Sequence, residues 1–153
     1  MKTAEEILDE KDRNILTVSD DATLYEALKI MNEHKVGAIF VKKNDKIVGV
    51  WTERDLLRNV MDENFNPKTA KIADYMTTDL VSAPAHDTIY NLADIYLGRR
   101  VRHLLIEKEG EYIGLISPGD VMRASLQEKD TELHELNAMV SWEYYENWRW
   151  KKS

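Results

Sequence analysis

Two stretches of the chain place a hydroxyl three residues ahead of a carboxylate. In VGVWTERDLL the pair is Thr52 and Asp55; in IGLISPGDVM it is Ser117 and Asp120. A carboxylate can accept from two vicinal hydroxyls at once, and each hydrogen bond to a charged group is worth about 1.5–3 kcal/mol. A Thr or Ser at the mouth of a helix stands beside backbone N–H groups without intrahelical partners, which favours a phosphate. Apolar strand ends next to such a pair supply a flat slot for a purine. The same spacing also reads as a plain helix N-cap, with the Asp where negative charge is favoured. Capping and ligand binding are compatible, and the recurrence of the pair after Gly-x-x argues for both.

The elements that must position these residues come as a repeat, which has to be sought before any fold is assigned. Asp55 and Asp120, Gly49 and Gly114, and Thr52 and Ser117 are each 65 positions apart. At that offset Ile15–Val60 overlays Leu80–Ser125 without a gap, and Thr23, Tyr25, Ile30, Val36, Lys43, Arg58 recur unchanged. In the first copy Ile15–Val18 is an expected strand. Thr23 with Glu26 forms a capping box for a helix bearing Leu24, Ala27, Leu28 and Met31. Val36–Val41 predicts a strand buried on both faces, Asn44-Asp45 a turn, Ile47–Trp51 the second arm of a hairpin, and Leu56, Leu57, Val60 and Met61 a closing helix. The second copy repeats this as Leu80–Ala83, Thr88–Gly98, Val101–Ile106, a turn at Glu109-Gly110, Tyr112–Ile116 and a helix from Pro118. Each unit is therefore β-α-β-β-α. A short helix opening at the capping box Thr3–Glu6 precedes the first, and its counterpart is Thr69–Met76; the first copy carries three extra residues between this helix and its strand. The expected division is 3–63 and 69–128 for the two repeats, joined by the Pro67-containing linker 64–68, and 129–153 for a C-terminal helix and tail.

Composition narrows the function. The 153 residues are 43% apolar and 32% charged, ordinary for a globular protein, with a net charge of −7 that argues against a general nucleic-acid surface. Without cysteine there are no disulfides, thiolate metal sites or Cys nucleophiles. The histidines His34, His86 and His134 share no ligand-like spacing, so no metal site is expected. No apolar run approaches the ~20 residues that cross a bilayer. Met1–Asn14 is too acidic for a signal peptide, so the cytoplasm is the expected address. No activated nucleophile or general-base pair points to catalysis, and an enzyme is not expected.

The gapless βαββα repeat, with VGVWTERDLL and IGLISPGDVM after its hairpins and ILTVSDDATLYEALKIM and LVSAPAHDTIYNLADIY before them, resembles the CBS domain family, named after cystathionine β-synthase. The tandem is similar to a Bateman module, two such domains packed as a pseudo-two-fold pair, and covers roughly Thr3–Glu128. The resemblance implies that Asp55 and Asp120 accept from the ribose hydroxyls of an adenine-containing ligand, with Thr52 and Ser117 on phosphate. It implies an adenine slot between Leu16-Thr17 and Val36-Gly37-Ala38 in the first unit. In the second the slot lies between Val81-Ser82 and Val101-Arg102-His103.

Arg99, Arg100, Arg102 and His103 form a dense basic cluster in an acidic chain. Arg102 and His103 lie beside the implied base pocket and are expected on phosphate in the central cleft, with Arg99 and Arg100 at a solvated helix end. The two sites differ: Gly37 and Ala38 face Arg102 and His103 as counterparts, and Arg54 has Gly119. Trp51 and the Tyr25/Tyr90 pair are expected to pack, although Trp51 precedes Thr52 closely enough to form a pocket wall. Leu126, Leu133, Leu136 and Val140 suggest an amphipathic helix ending in Trp142, Tyr144, Tyr145, Trp148 and Trp150, which either folds back on the module or completes a homodimer.

The expected function is a stand-alone regulatory CBS pair that binds AMP, ADP or ATP between its repeats and signals occupancy to an effector protein or through a dimer. No cofactor is required. The rivals are a ligand-free oligomerisation or adaptor module, a sensor of NAD or S-adenosylmethionine, a nucleotide-turning enzyme, and a polyphosphate or RNA binder using the Arg99–His103 cluster.

Overall fold

The computed structural model describes residues 1–99 and 101–140, with side chains to residue 136. Arg100, the side chain of Val140 and the aromatic group from Trp142 to Trp150 lie outside the described residues. The first unit runs α1 (Ala4–Asp9), β1 (Thr17–Ser19), α2 (Leu24–His34), β2 (Ala38–Lys43), β3 (Lys46–Thr52) and α3 (Glu53–Asn59). The second runs α4 (Ile72–Tyr75), β4 (Ser82–Pro84), α5 (Ile89–Arg99), β5 (Leu104–Lys108), β6 (Glu111–Ile116) and α6 (Pro118–Val140). Each unit is thus the expected βαββα behind a short leading helix.

The two sheets have the same topology, β1-β2-β3 and β4-β5-β6. The first two strands of each are parallel and the last two antiparallel. Even the irregularity repeats, with register shifts at Val41/Lys42 and at Ile106/Glu107. Both hairpins turn through two residues of positive φ, Asn44 (52°) with Asp45 (62°) and Glu109 (54°) with Gly110 (81°), which matches the twist of paired strands. The capping box at Thr23 forms in full, and α2 ends on Lys35 in the left-handed region.

The central strands enter late. β2 begins at Ala38 and β5 at Leu104, after the expected starts at Val36 and Val101. The left-handed Lys35 ends α2 through bonds to Asn32 and Met31, so Val36 and Gly37 form a link outside the strand. Val36 is accordingly exposed. Of the apolar residues assigned to the closing helix of the first unit, Leu56 alone packs against the core, and it is only partly buried. α3 has no fully buried residue, and Leu57, Val60 and Met61 are exposed. Tyr25 and Tyr90 are also exposed, so their recurrence does not reflect core packing. Trp51, in contrast, is completely buried.

The leading helices are exchanged between the units. Ala4, Ile7 and Leu8 of α1 belong to the core of the second unit, with Leu92, Leu104, Ile106 and Ile116. Ile72 of α4 belongs to the core of the first, with Leu24, Ile39 and Trp51. Backbone bonds fix both exchanges: Ala4 N–H donates to Asp87 (2.8 Å) and Glu5 N–H to Ala85 (2.9 Å), while Ile72 N–H donates to Ala22 (2.9 Å) and Leu24 N–H to Ala70 (2.9 Å). The repeated glycines make room for this. A Cβ on Gly114 would stand 2.7 Å from Leu8 Cδ2, and one on Gly49 would stand 2.4 Å from Met76 Sδ. Finally, the last helix of the second unit and the amphipathic segment after Ser125 are one continuous helix, α6.

Candidate functional site

Both hydroxyl-carboxylate pairs sit at the junction of a hairpin and the following helix. In the first unit Thr52 is the N-cap of α3. Its backbone N–H donates to Asp55 Oδ2 (3.0 Å), its hydroxyl donates to the same oxygen (3.1 Å), and Asp55 N–H donates to Thr52 Oγ1 (3.3 Å). In the second unit Ser117 N–H donates to Asp120 Oδ2 (2.9 Å) and Asp120 N–H to Ser117 Oγ (3.2 Å). The capping geometry is therefore realised twice. An arginine one turn on faces each carboxylate, Arg58 at 3.7 Å from Asp55 and Arg123 at 3.3 Å from Asp120.

The surroundings of the two pairs differ. Thr52 and Asp55 line a cavity of about 770 Å3, within the range of small-molecule sites. Its other walls come from both units: Gly37, Arg54 and Arg58 from the first, and Val81, Val101, Arg102 and His103 from the second. Ser117 and Asp120 do not line it. Asp120 is held by the ammonium of Lys11 at 2.6 Å. Burial alone would push the Asp120 carboxyl upward, but hydrogen bonds from Lys11 and from Ser117, with the Lys11 charge, hold it below its ordinary value. Beside it the Tyr96 phenol, raised far above its ordinary value by burial and by the charge of Asp120, stays neutral and donates to the Ile116 carbonyl.

A family model described as the CBS domain matches residues 4–62 and 72–127. The chain belongs to the CBS domain family. It is 33% identical over 138 residues to the CBS domain-containing protein CBSX3, mitochondrial, of Arabidopsis thaliana, spanning 87% of this chain and 67% of that protein. The CBS-domain containing protein ATU1752 from Agrobacterium tumefaciens superposes with a TM-score of 0.74 at 33% identity, covering 81% of this chain and 99% of that one. The structure of CBSX2 in complex with AMP superposes with a TM-score of 0.70 at 25% identity, covering 84% and 99%. The molecule is thus a tandem CBS pair, a Bateman module.

Of the residues singled out in the sequence, the CBS pair gathers Gly37, Thr52, Arg54, Asp55, Val81, Val101, Arg102 and His103 around one cavity. Ala38 is buried directly across the hairpin from Thr52. The Leu16 carbonyl accepts from Phe40 N–H (3.0 Å), and Thr17 pairs with Phe40. Leu16, Thr17 and Val36 stand outside the cavity wall. Ser82 lines a different depression of about 440 Å3, with Glu5, His86 and Lys108. Gly119 is exposed on the first turn of α6, and Arg99 is exposed at the end of α5.

Four polar wall residues were missed from the sequence: Glu53, Arg58, Thr77 and Asp79. Arg58 carried a signal, since it recurs as Arg123 one turn after the carboxylate. Thr77 and Asp79 carried none. They reach the wall because the connection after α4 pairs with β3, Thr77 and Val50 exchanging backbone bonds of 2.8 and 2.9 Å. Among the described residues no group of His, Asp and Glu could hold a metal ion, and no helix is long and apolar enough to cross a membrane.

His103 lies in the cavity wall between charges. Burial pushes its imidazole below the ordinary value, the Arg102 guanidinium pushes the same way, and the Glu53 carboxylate opposes both. Below the ordinary value the unfolded chain takes up a proton that the folded chain resists, so stability rises with pH there. Acidification from about pH 7 to about pH 5 is expected to lower the unfolding free energy less in His103→Gln than in the parent. Urea titrations at both pH values measure this, and equal losses would remove His103 as the cause.

Proposed function

We propose that this CBS pair is a regulatory module that binds an adenine nucleotide, AMP, ADP or ATP, in the cavity between its repeats. The observation that carries the reading is the cavity itself. It is lined by the Thr52/Asp55 pair of one repeat together with Val101, Arg102 and His103 of the other. Asp55 suits the ribose hydroxyls, Arg54 and Arg102 supply positive charge for phosphate, and Val81 and Val101 give an apolar surface to the base. The relative CBSX2, whose structure is a complex with AMP, supports the same ligand class.

A ligand that touches both repeats favours whichever relative arrangement it contacts better, and by no more than that difference in affinity. Occupancy of the cavity would then be read by an effector protein or by a second copy of the chain. A second copy is favoured by apolar residues exposed at repeat-equivalent positions: Leu57 (69%) and Met61 (82%) after the first pair, Met122 (66%) and Leu126 (59%) after the second. Such a paired patch suits an interface with a two-fold axis. Sedimentation equilibrium should return a dimer for the parent and a monomer for Leu57→Asp/Met122→Asp; a monomeric parent would refute it.

Isothermal titration of AMP, ADP, ATP, NAD and S-adenosylmethionine into nucleotide-stripped protein tests the ligand. Saturable binding of an adenosine phosphate is expected. Asp55→Ala should weaken it roughly 10- to 100-fold, the worth of a charge-assisted hydrogen bond. Preference for NAD or S-adenosylmethionine would redirect the reading within the same cavity. No binding of any of the five would leave the ligand-free oligomerisation module, which the exposed apolar pair favours.

A further inference from the structure

Lys11 distinguishes the two halves of this pair. It belongs to the connection from α1 to β1, the stretch in which the first copy carries three residues more than the second. The exchange of α1 onto the second unit delivers this connection to Ser117 and Asp120. There the Lys11 ammonium donates to Asp120 Oδ2 (2.6 Å) and to the Leu115 carbonyl (3.1 Å). Oδ2 also accepts from Ser117 N–H (2.9 Å), and Oδ1 faces Arg123 (3.3 Å). Both carboxylate oxygens of Asp120 are engaged by the protein, and its side chain is 11% exposed.

Asp55 is otherwise placed. Among the described residues its side-chain partners are Thr52, within the same cap, and Arg58, at 3.7 Å. The connection equivalent to that of Lys11, between α4 and β4, contributes Thr77 and Asp79 to the cavity wall and no cation. Beside Asp120 the phenol of Tyr96 occupies the position that Met31 holds in the first unit, and it is tied to Ile116.

We propose that Lys11 is an internal occupant of the second ribose position, so that the pair binds one nucleotide tightly, at Asp55, and Lys11 sets that selectivity. The inference rests on the nucleotide-binding reading above. A ribose reaching Asp120 must displace a charge-assisted hydrogen bond, which corresponds to roughly 10- to 100-fold in affinity. The occupant is supplied by the chain, so the discrimination needs no change in the hydroxyl-carboxylate motif itself.

The test is AMP titration by calorimetry into nucleotide-stripped full chain, in four forms: parent, Lys11→Met, Asp55→Ala and the double variant. The parent should take up one tight equivalent. Lys11→Met should add a second class, tightened roughly 10- to 100-fold. Asp55→Ala should lose the tight equivalent, and the double variant should regain one. Lys11→Gln serves where the methionine variant does not fold. Two equal equivalents in the parent, a tight site surviving Asp55→Ala, or no tightening on removal of the Lys11 charge would each overturn the proposal. An empty parent beside a binding Lys11→Met variant would sink the assignment to Asp55 while sustaining the occlusion. If every form stays empty, both are overturned.

Discussion

Leu8→Ala is expected to lower the unfolding free energy by about 2–5 kcal/mol, the cost of emptying a packed leucine site. Leu8 is fully buried in the core of the second unit, although it stands over a hundred positions ahead of that core's closing strand. Gly114 meets it there: a Cβ at that position would lie 2.7 and 2.9 Å from its two methyls. Gly114→Ala should therefore be destabilising as well, by about 1–3 kcal/mol, as overpacking of a filled site generally is. The two changes compensate in space. The double variant should fall short of the sum by about 0.5–3 kcal/mol, the coupling of residues in contact. Urea unfolding of the four forms measures both quantities. A Leu8→Ala loss under about 1 kcal/mol, or strict additivity, would contradict the exchanged packing.

The same experiment explains why the glycine recurs. Gly49 faces Met76 as Gly114 faces Leu8, each residue coming from the leading helix that belongs in sequence to the other unit or from its end. In the sequence these glycines read only as part of a motif before a hydroxyl. The exchange itself left no local trace, because helical spacing states which face is apolar and not which sheet receives it. The repeat was legible for a different reason. Two copies of one pattern test each other, so hairpins, caps and strand order followed from residues such as Thr23, Asn44-Asp45 and Gly49.

Strand ends were less legible. Val36 and Val101 extend apolar runs, yet a left-handed Lys35 detaches Val36 from its strand. The helix α3 misled by composition, since Leu57, Val60 and Met61 suggest a core face and are exposed. Half of the candidate site followed from the motif and its counterparts across the repeat. Glu53 and Arg58 escaped although they flank the motif on α3, and the rest was contributed by the connections after the leading helices, Thr77 and Asp79 at the cavity and Lys11 at Asp120. Such segments lack periodicity, and their destinations depend on the exchange.

Trp51→Ala is expected to cost about 3–5 kcal/mol, the range for emptying a buried aromatic site. The residue is completely buried, one position before Thr52, and its indole N–H donates to Asn59 Oδ1 at 3.0 Å. That bond has a functional side. α3 carries Asp55 and has no fully buried residue; the Thr52 cap holds its start, Leu56 packs partly buried against the first core, and the Trp51–Asn59 bond holds its end. Asn59→Ala keeps the aromatic packing and removes only that tether. It leaves a buried donor without its partner, at a cost of about 1–3 kcal/mol. If α3 is positioned by this bond, Asn59→Ala also weakens nucleotide binding although residue 59 is not part of the cavity wall. Denaturation and AMP titration on the same preparations separate the two effects. Full stability in Trp51→Ala would contradict its place in the core, and unchanged affinity in a destabilised Asn59→Ala would show that the cap and the packing of Leu56 hold Asp55 without this bond.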